Sequence, residues 1–168
     1  MKKFYYVLML LFIFQIASLI SLKAQDADYY DFAISSGTYT PVTGTGLTFS
    51  SADDASVTIT MPFTFNYCGN NYTSLVVNTN GVVTFGTTVS LGNSLASTSY
   101  INVLAPFWDD LSSSSVSGHI SHYTEGTAPN RVLTIQYSDV YRLGATTYLL
   151  NFQIKLYETT NSIEFVYG

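Results

Sequence analysis

The stretch Val57-Thr-Ile-Thr-Met-Pro-Phe-Thr-Phe-Asn-Tyr67 decides the fold, because apolar and polar side chains alternate along its whole length. Six apolar residues in a row occupy every second position, which is the period of a β-strand with one buried face. Pro62 interrupts the polar positions and has no backbone N–H to donate. The sequence therefore predicts a half-buried strand that lies at a sheet edge or a bend.

Outward from this strand, turn signals and short apolar runs repeat along the chain. Gly69-Asn70-Asn71 is typical of a turn, and Asn80-Gly81 is typical of a tight hairpin. We find no amphipathic helical segment of useful length. The pattern predicts an all-β domain, an antiparallel β-sandwich or a jelly roll. The main strands are expected at residues 57–67, 72–78, 82–86, 119–125, 131–140, 150–156 and 163–167.

The first 24 residues have the pattern of a secretory signal. Two lysines precede an apolar stretch from Phe4 to Leu22, and Ala24 is a small residue at the cleavage position. The stretch is also long enough for an uncleaved anchor, since a bilayer span needs about 20 apolar residues. We predict a signal peptide helix over 1–24 and one extracellular domain over 25–168, either complete or the first module of a longer protein.

Residues 25–168 are strongly acidic. Arg131, Arg142 and Lys155 are the only basic side chains there, against all 11 acidic residues of the chain. Nucleic acid and anionic membrane surfaces require basic patches, so neither is an expected partner, and membrane contact is expected only through an uncleaved signal. Cys68 is the only cysteine, which excludes a disulfide framework and leaves stability to the core and the sheet hydrogen bonds.

The tandem acids Asp109 and Asp110 are the candidate metal ligands. They follow Ala105-Pro-Phe-Trp108, which we expect to be core. Adjacent residues of an extended chain point to opposite faces, so these two carboxylates do not form a glycosidase pair. Two interpretations stay open: the acids cap the following loop by local hydrogen bonds, or they contribute to a calcium site. The other acidic pair, Asp53-Asp54, is expected in a solvated turn.

No residue pattern indicates an enzyme. His119 and His122 are three apart on an expected strand, so their side chains face opposite sides and are not a metal pair. No serine stands in a nucleophile-elbow context. We predict a non-enzymatic protein without a cofactor, and keep a bound calcium ion and a calcium-dependent hydrolase as alternatives.

Three tyrosines, Tyr72, Tyr100 and Tyr141, are the candidate ligand contacts. They fall in expected loops or outward positions, where aromatic rings stack on sugars or anchor a protein partner. The alternative is that they fill the core, since tyrosine is a good strand former.

Several blocks, in order, resemble the nidogen-like extracellular domain. They include Val77-Asn-Thr-Asn-Gly-Val-Val-Thr-Phe-Gly86, Val103-Leu-Ala-Pro-Phe-Trp-Asp-Asp-Leu111, Asn151-Phe-Gln-Ile-Lys-Leu156 and Ile163-Glu-Phe-Val-Tyr-Gly168. The opening from Tyr29 to Pro41 is similar to modules at the N-terminus of Bacteroidetes secreted and cell-surface proteins. The resemblance implies a secreted or cell-surface adhesion module that binds an extracellular protein or glycan, with no catalytic residues to carry over. A carbohydrate-binding module attached to a secreted enzyme or adhesin is the alternative.

Overall fold

The structure, a computed structural model, describes residues 30–86 and 101–168. The predicted signal peptide and Tyr100 lie outside the described residues. Residues Ala33–Gly168 form one unit. The described residues 30–32 belong to a separate N-terminal unit, and these three residues have no regular secondary structure. Within the described part of the chain, no helix is long and apolar enough to cross a membrane.

The described residues form ten β-strands and no helix, so the all-β prediction is confirmed. The strands are β1 (Thr45–Thr48), β2 (Ser56–Tyr67), β3 (Asn70–Asn78), β4 (Val83–Phe85), β5 (Val103–Leu104), β6 (Leu111–Ser112), β7 (Ser117–Glu125), β8 (Val132–Arg142), β9 (Ala145–Tyr157) and β10 (Ile163–Tyr167). They make two antiparallel sheets packed as a sandwich. Sheet A has the order β1-β7-β8-β9-β10, with β6 also paired to β8, and sheet B has the order β2-β3-β4-β5.

Strand β2 has the alternation that its sequence predicts. Ile59, Met61, Phe63 and Phe65 are buried, and the residues between them are exposed. The strand lies at the edge of sheet B, and its register with β3 shifts between Thr60 and Phe65. Pro62 lies within this irregular stretch of the edge strand. Both features fit proline, which has no N–H to donate to a sheet ladder.

One tyrosine connects the two sheets through the middle of the core. Tyr137 on β8 is fully buried and stacks on Phe152, with ring centroids 4.4 Å apart. Its hydroxyl donates to the carbonyl oxygen of Asn78 on β3 at 2.8 Å. Burial raises the pKa of Tyr137, so the hydroxyl remains a protonated donor at physiological pH.

The outer face of sheet A carries a segment that the sequence did not predict. Residues 39–44, here called the N-terminal strap, are held by two buried glutamines. The Gln136 side-chain amide accepts from the Val42 N–H at 2.8 Å and donates to the Val42 carbonyl at 3.0 Å. Gln153 donates to the Thr40 carbonyl at 2.9 Å and to Gln136 at 2.8 Å. The strap therefore covers polar side chains on the outer face by bonding through its own backbone.

The expectation that Ala105–Trp108 is core is wrong. All four residues are half-buried and lie in an irregular turn between β5 and β6. Only Phe107 packs against the core cluster, with its ring centroid 6.1 Å from that of Phe152. Pro106 cannot donate a ladder hydrogen bond, so the strand ends before it, and its carbonyl instead accepts from the Tyr167 hydroxyl at 2.8 Å.

Candidate functional site

Three carboxylates from two distant segments converge next to the turn between β3 and β4. Asp53, Asp54 and Asp110 each offer an oxygen, and these oxygens lie within 4.8 Å of one another. We call this group the carboxylate cluster. Asp110 was a predicted metal ligand, but the sequence paired it with Asp109 and placed Asp53 and Asp54 in a solvated turn.

Backbone pairing and one buried amide bring the two segments together. Asp53 forms an isolated antiparallel bridge with Ser112. Asn80, which is almost fully buried, donates its amide to an Asp54 carboxylate oxygen at 3.0 Å. The same side chain accepts from the Leu111 N–H at 3.2 Å. The Asn80 carboxamide therefore links the segment before β2 to the segment that carries Asp110.

Gly81 allows this close approach. Its φ is +74°, a left-handed conformation that L side chains rarely adopt. A Cβ at this position would lie 2.0 Å from the Phe107 carbonyl oxygen, so any other residue would push the two segments apart. The Asn80-Gly81 pair thus closes the hairpin that the sequence predicts and also seats the acidic segment against it.

Burial and neighbouring negative charge both act on Asp53 in the carboxylate cluster. Burial raises the pKa of Asp53, and the neighbouring carboxylates of Asp54 and Asp110 raise it further. Asp53 Oδ1 is buried and receives no hydrogen bond from the described residues. Calcium takes six to eight oxygen ligands from carboxylates, carbonyls and water. The three carboxylates could therefore hold a hard cation such as calcium.

The tandem acids of the predicted site are separated by the structure. The Asp109 carboxylate accepts from Arg142 Nε at 3.0 Å and from the Asp110 N–H at 2.8 Å. Asp110 turns its carboxylate to the cluster, and its carbonyl accepts from the Leu143 N–H at 2.7 Å. Asp109 thus makes the local hydrogen bond of the capping interpretation, and Asp110 has the surroundings expected of a metal ligand. A metal role for either residue stays a prediction.

The candidate ligand tyrosines are less exposed than their sequence context suggests. Tyr72 is half-buried and packs on Phe85, with ring centroids 5.1 Å apart. Tyr141 is half-buried, and its hydroxyl donates to the Ser113 carbonyl at 3.3 Å. Other tyrosines are more accessible: the exposed ones among the described residues are Tyr123, Tyr148 and Tyr167.

His119 has polar contacts on both ring nitrogens. Nδ1 lies 2.9 Å from the Ser138 carbonyl oxygen, and Nε2 lies 2.8 Å from the Ser114 hydroxyl. Because a carbonyl can only accept, Nδ1 carries a proton, and in the neutral ring Nε2 accepts from Ser114. The contact between Ser114 and His119 attaches the loop between β6 and β7 to β7.

Comparison with known families adds to this geometry. A family model described as NIDO related matches residues 29–168. The chain belongs to this NIDO-related family. The resemblance to the nidogen-like domain is thereby confirmed over almost all of the predicted domain, and such domains are typically extracellular. The NIDO-related chain matches no curated protein and no solved structure.

Proposed function

We propose that this NIDO-related domain is a non-enzymatic extracellular module that mediates adhesion at a cell surface. The observation that carries the proposal is the family match, which spans residues 29–168. The secretory pattern of residues 1–24 and the acidic composition support export and solubility outside the cell.

The arrangement of exposed tyrosines favours a protein partner over a sugar. In the register of sheet A, Tyr123 lies opposite Thr134 on the outer face, and Tyr167 lies opposite Phe152 on the core side. Rings on opposite faces of a sheet cannot make one flat platform for a carbohydrate.

The β8–β9 hairpin is the surface with which we associate adhesion. Leu143, Tyr148 and Leu149 are exposed on this hairpin, Tyr148 by 76% of its surface. Exposed apolar side chains on one hairpin are candidate contacts for a protein partner, since aromatic anchors supply much of the energy of protein binding.

A paired binding assay tests the adhesive function. The chain from residue 25 is applied to a panel of immobilised extracellular-matrix proteins and to a glycan array. We expect saturable binding to a protein, which the double variant Y148A/L149A loses and the control T146A/T147A on the same hairpin retains. Saturable binding to one glycan class without protein binding would replace adhesion by the carbohydrate-binding alternative.

Calcium dependence is a second candidate property, and it rests on the carboxylate cluster. Three acids lie together, and one buried carboxylate oxygen accepts no hydrogen bond from the described residues, which favours a cation over a solvated turn. The binding assay is therefore repeated in CaCl2 and in EDTA. Binding that EDTA removes supports a calcium-dependent module, whereas equal binding in both buffers separates adhesion from the cluster.

A further inference from the structure

Three of the five residues of strand β10 point their backbone N–H and C=O groups away from sheet A. The Tyr157 N–H donates to the Ser162 carbonyl, and the Gly168 N–H donates to the Asn151 carbonyl, so hydrogen-bonded pairs stand at both ends of the β9–β10 ladder. Hydrogen-bonded and non-bonded pairs alternate along an antiparallel ladder. The unbroken register between the two strands then fixes the role of every residue of β10.

This alternation directs the backbone of three residues outward. Glu164 and Val166 belong to hydrogen-bonded pairs with β9, whereas Ile163, Phe165 and Tyr167 turn their N–H and C=O groups to the free edge. Among the described residues, none of these outward groups has a hydrogen-bond partner. Strand β10 contains no proline, no lysine and no bulge, which block many sheet edges, and its one charged residue is Glu164.

The long edge strand of sheet B is protected in the ways that β10 is not. Pro62 of β2 has no N–H, and its carbonyl accepts from Arg131 Nη1 at 2.6 Å. The Asn66 N–H donates to the Asn161 side chain at 2.8 Å. The remaining edges are short, because β1 has four residues and an irregular register and β5 has two residues. The contrast marks β10 as the pairing edge of the domain.

We propose that β10 pairs antiparallel with β10 of a second copy, about a two-fold axis at Phe165. In this register Phe165 lies opposite Phe165 of the second copy, and Ile163 lies opposite Tyr167. Each of these pairs exchanges two backbone hydrogen bonds through the groups that now point outward. The two A sheets then join into one continuous sheet with an isologous interface.

The side chains of β10 are complementary to those of a second β10. Ile163, Phe165 and Tyr167 share one face, so the pairing places apolar and aromatic side chains opposite one another. On the other face Glu164 lies opposite Val166, and no like charges are directly opposed. Glu164 is also compensated within its own chain, since it lies opposite Lys155 on β9 and accepts from the Tyr157 hydroxyl at 2.7 Å. Because β10 is complementary to itself, we infer that its pairing partner is β10 of a second copy.

Two variants at one position test the pairing. Val166→Glu places a carboxylate opposite Glu164 of the second copy, and Val166→Lys places an ammonium there. Both introduce a charge at the same half-buried site, so the cost of burying a charge in the monomer is common to them. Analytical ultracentrifugation of the chain from residue 25 should show a concentration-dependent dimer. We expect Val166→Glu to weaken it roughly tenfold, because two like-charge pairs form, and Val166→Lys to bind more tightly than Val166→Glu.

Amide hydrogen exchange locates the interface in the wild-type chain, whatever the variants do to folding. The Phe165 amide should exchange freely at low concentration and become protected as the dimer forms. A chain that stays monomeric at all concentrations overturns the proposal. So does a dimer whose Phe165 amide remains unprotected, equal weakening by the two folded variants, or protection that requires an added protein of another kind.

Discussion

Two charged clusters among the described residues connect the sheets, and they differ in charge balance. Arg131, directly before β8, donates from Nη2 and Nε to the Glu158 carboxylate at 2.5 Å and 2.7 Å, and from Nη1 to the Pro62 carbonyl of sheet B. In the carboxylate cluster, the Asn80 side chain of the β3–β4 turn donates to Asp54 and accepts from the Leu111 N–H on β6 of sheet A, next to Asp110. The first cluster pairs each charge with its opposite, whereas the second brings three negative charges together.

The pKa directions follow this difference. Hydrogen bonds from the Arg131 guanidinium hold the pKa of Glu158 below its usual range. Burial raises the pKa of Asp53 above its usual range, and two neighbouring acids add to the effect. A polar cluster that satisfies its own charges needs no ligand, whereas one that concentrates like charge is a candidate for binding an opposite charge. The Arg131–Glu158 cluster therefore has a structural role, and the carboxylate cluster is the candidate binding site.

The largest expected effect comes from adding a side chain at Gly81, where the segment that carries Asp110 packs against the β3–β4 turn. Gly81→Ala places a Cβ 2.0 Å from the Phe107 carbonyl, whereas Gly144→Ala, also at positive φ, has no atom within 4 Å. We expect Gly81→Ala to cost about 3–5 kcal/mol of unfolding free energy and Gly144→Ala about 1 kcal/mol. Urea denaturation measures both. Equal costs would mean that the acidic segment does not pack against this turn.

A smaller loss is expected when the amide that joins the acidic segments is removed. Asn80→Ala leaves the buried Leu111 N–H without its acceptor and should cost about 2 kcal/mol. Asn71→Ala is the matched control, because Asn71 is exposed and its side chain accepts from the Asn66 side chain on the surface; it should cost less than about 0.5 kcal/mol. Denaturant unfolding compares the two, and a neutral Asn80→Ala would contradict the bridging role of Asn80.

Neutral replacements in the two clusters should shift stability in opposite directions. Without calcium, Asp53→Asn removes like-charge repulsion and should stabilise the chain by about 1 kcal/mol at neutral pH. Glu158→Gln leaves Arg131 without its carboxylate and should lower the melting temperature. Thermal unfolding in EDTA measures both variants. A lower melting temperature for Asp53→Asn would show that this carboxylate is already compensated.

The smallest expected effect is a difference in pH dependence. The folded-state pKa of Asp53 is raised, so its contribution to stability is complete below its unfolded pKa and is lost as pH rises through its folded pKa. The folded-state pKa of Glu158 is lowered, so its contribution is present above its unfolded pKa and is lost as pH falls through its folded pKa. Melting temperatures across acidic pH, compared with those of Asp53→Asn and Glu158→Gln, should separate the two slopes. Slopes of the same sign would contradict the assignment.

The sequence predicted what depends on neighbouring residues. The period of Val57–Tyr67 and the Asn80-Gly81 turn are local signals, and both were confirmed. The carboxylate cluster could not be predicted, because Asp53 and Asp110 are brought together by a long-range backbone bridge and by the Asn80 side chain. The burial expected for Ala105–Trp108 failed for the same reason, since an apolar run alone does not show which side chains reach the core. The sequence signal for the carboxylate cluster was the presence of two acidic pairs, Asp53-Asp54 and Asp109-Asp110, in a chain with few charged residues.

Calcium titration by calorimetry tests the link between charge imbalance and binding most directly. It uses the wild-type chain from residue 25, Asp110→Asn, and Glu158→Gln as the control from the balanced cluster. We predict that one calcium ion binds per chain to the wild type and to Glu158→Gln, and that Asp110→Asn loses this binding. No binding to the folded wild type, or unchanged binding to Asp110→Asn, would contradict the account.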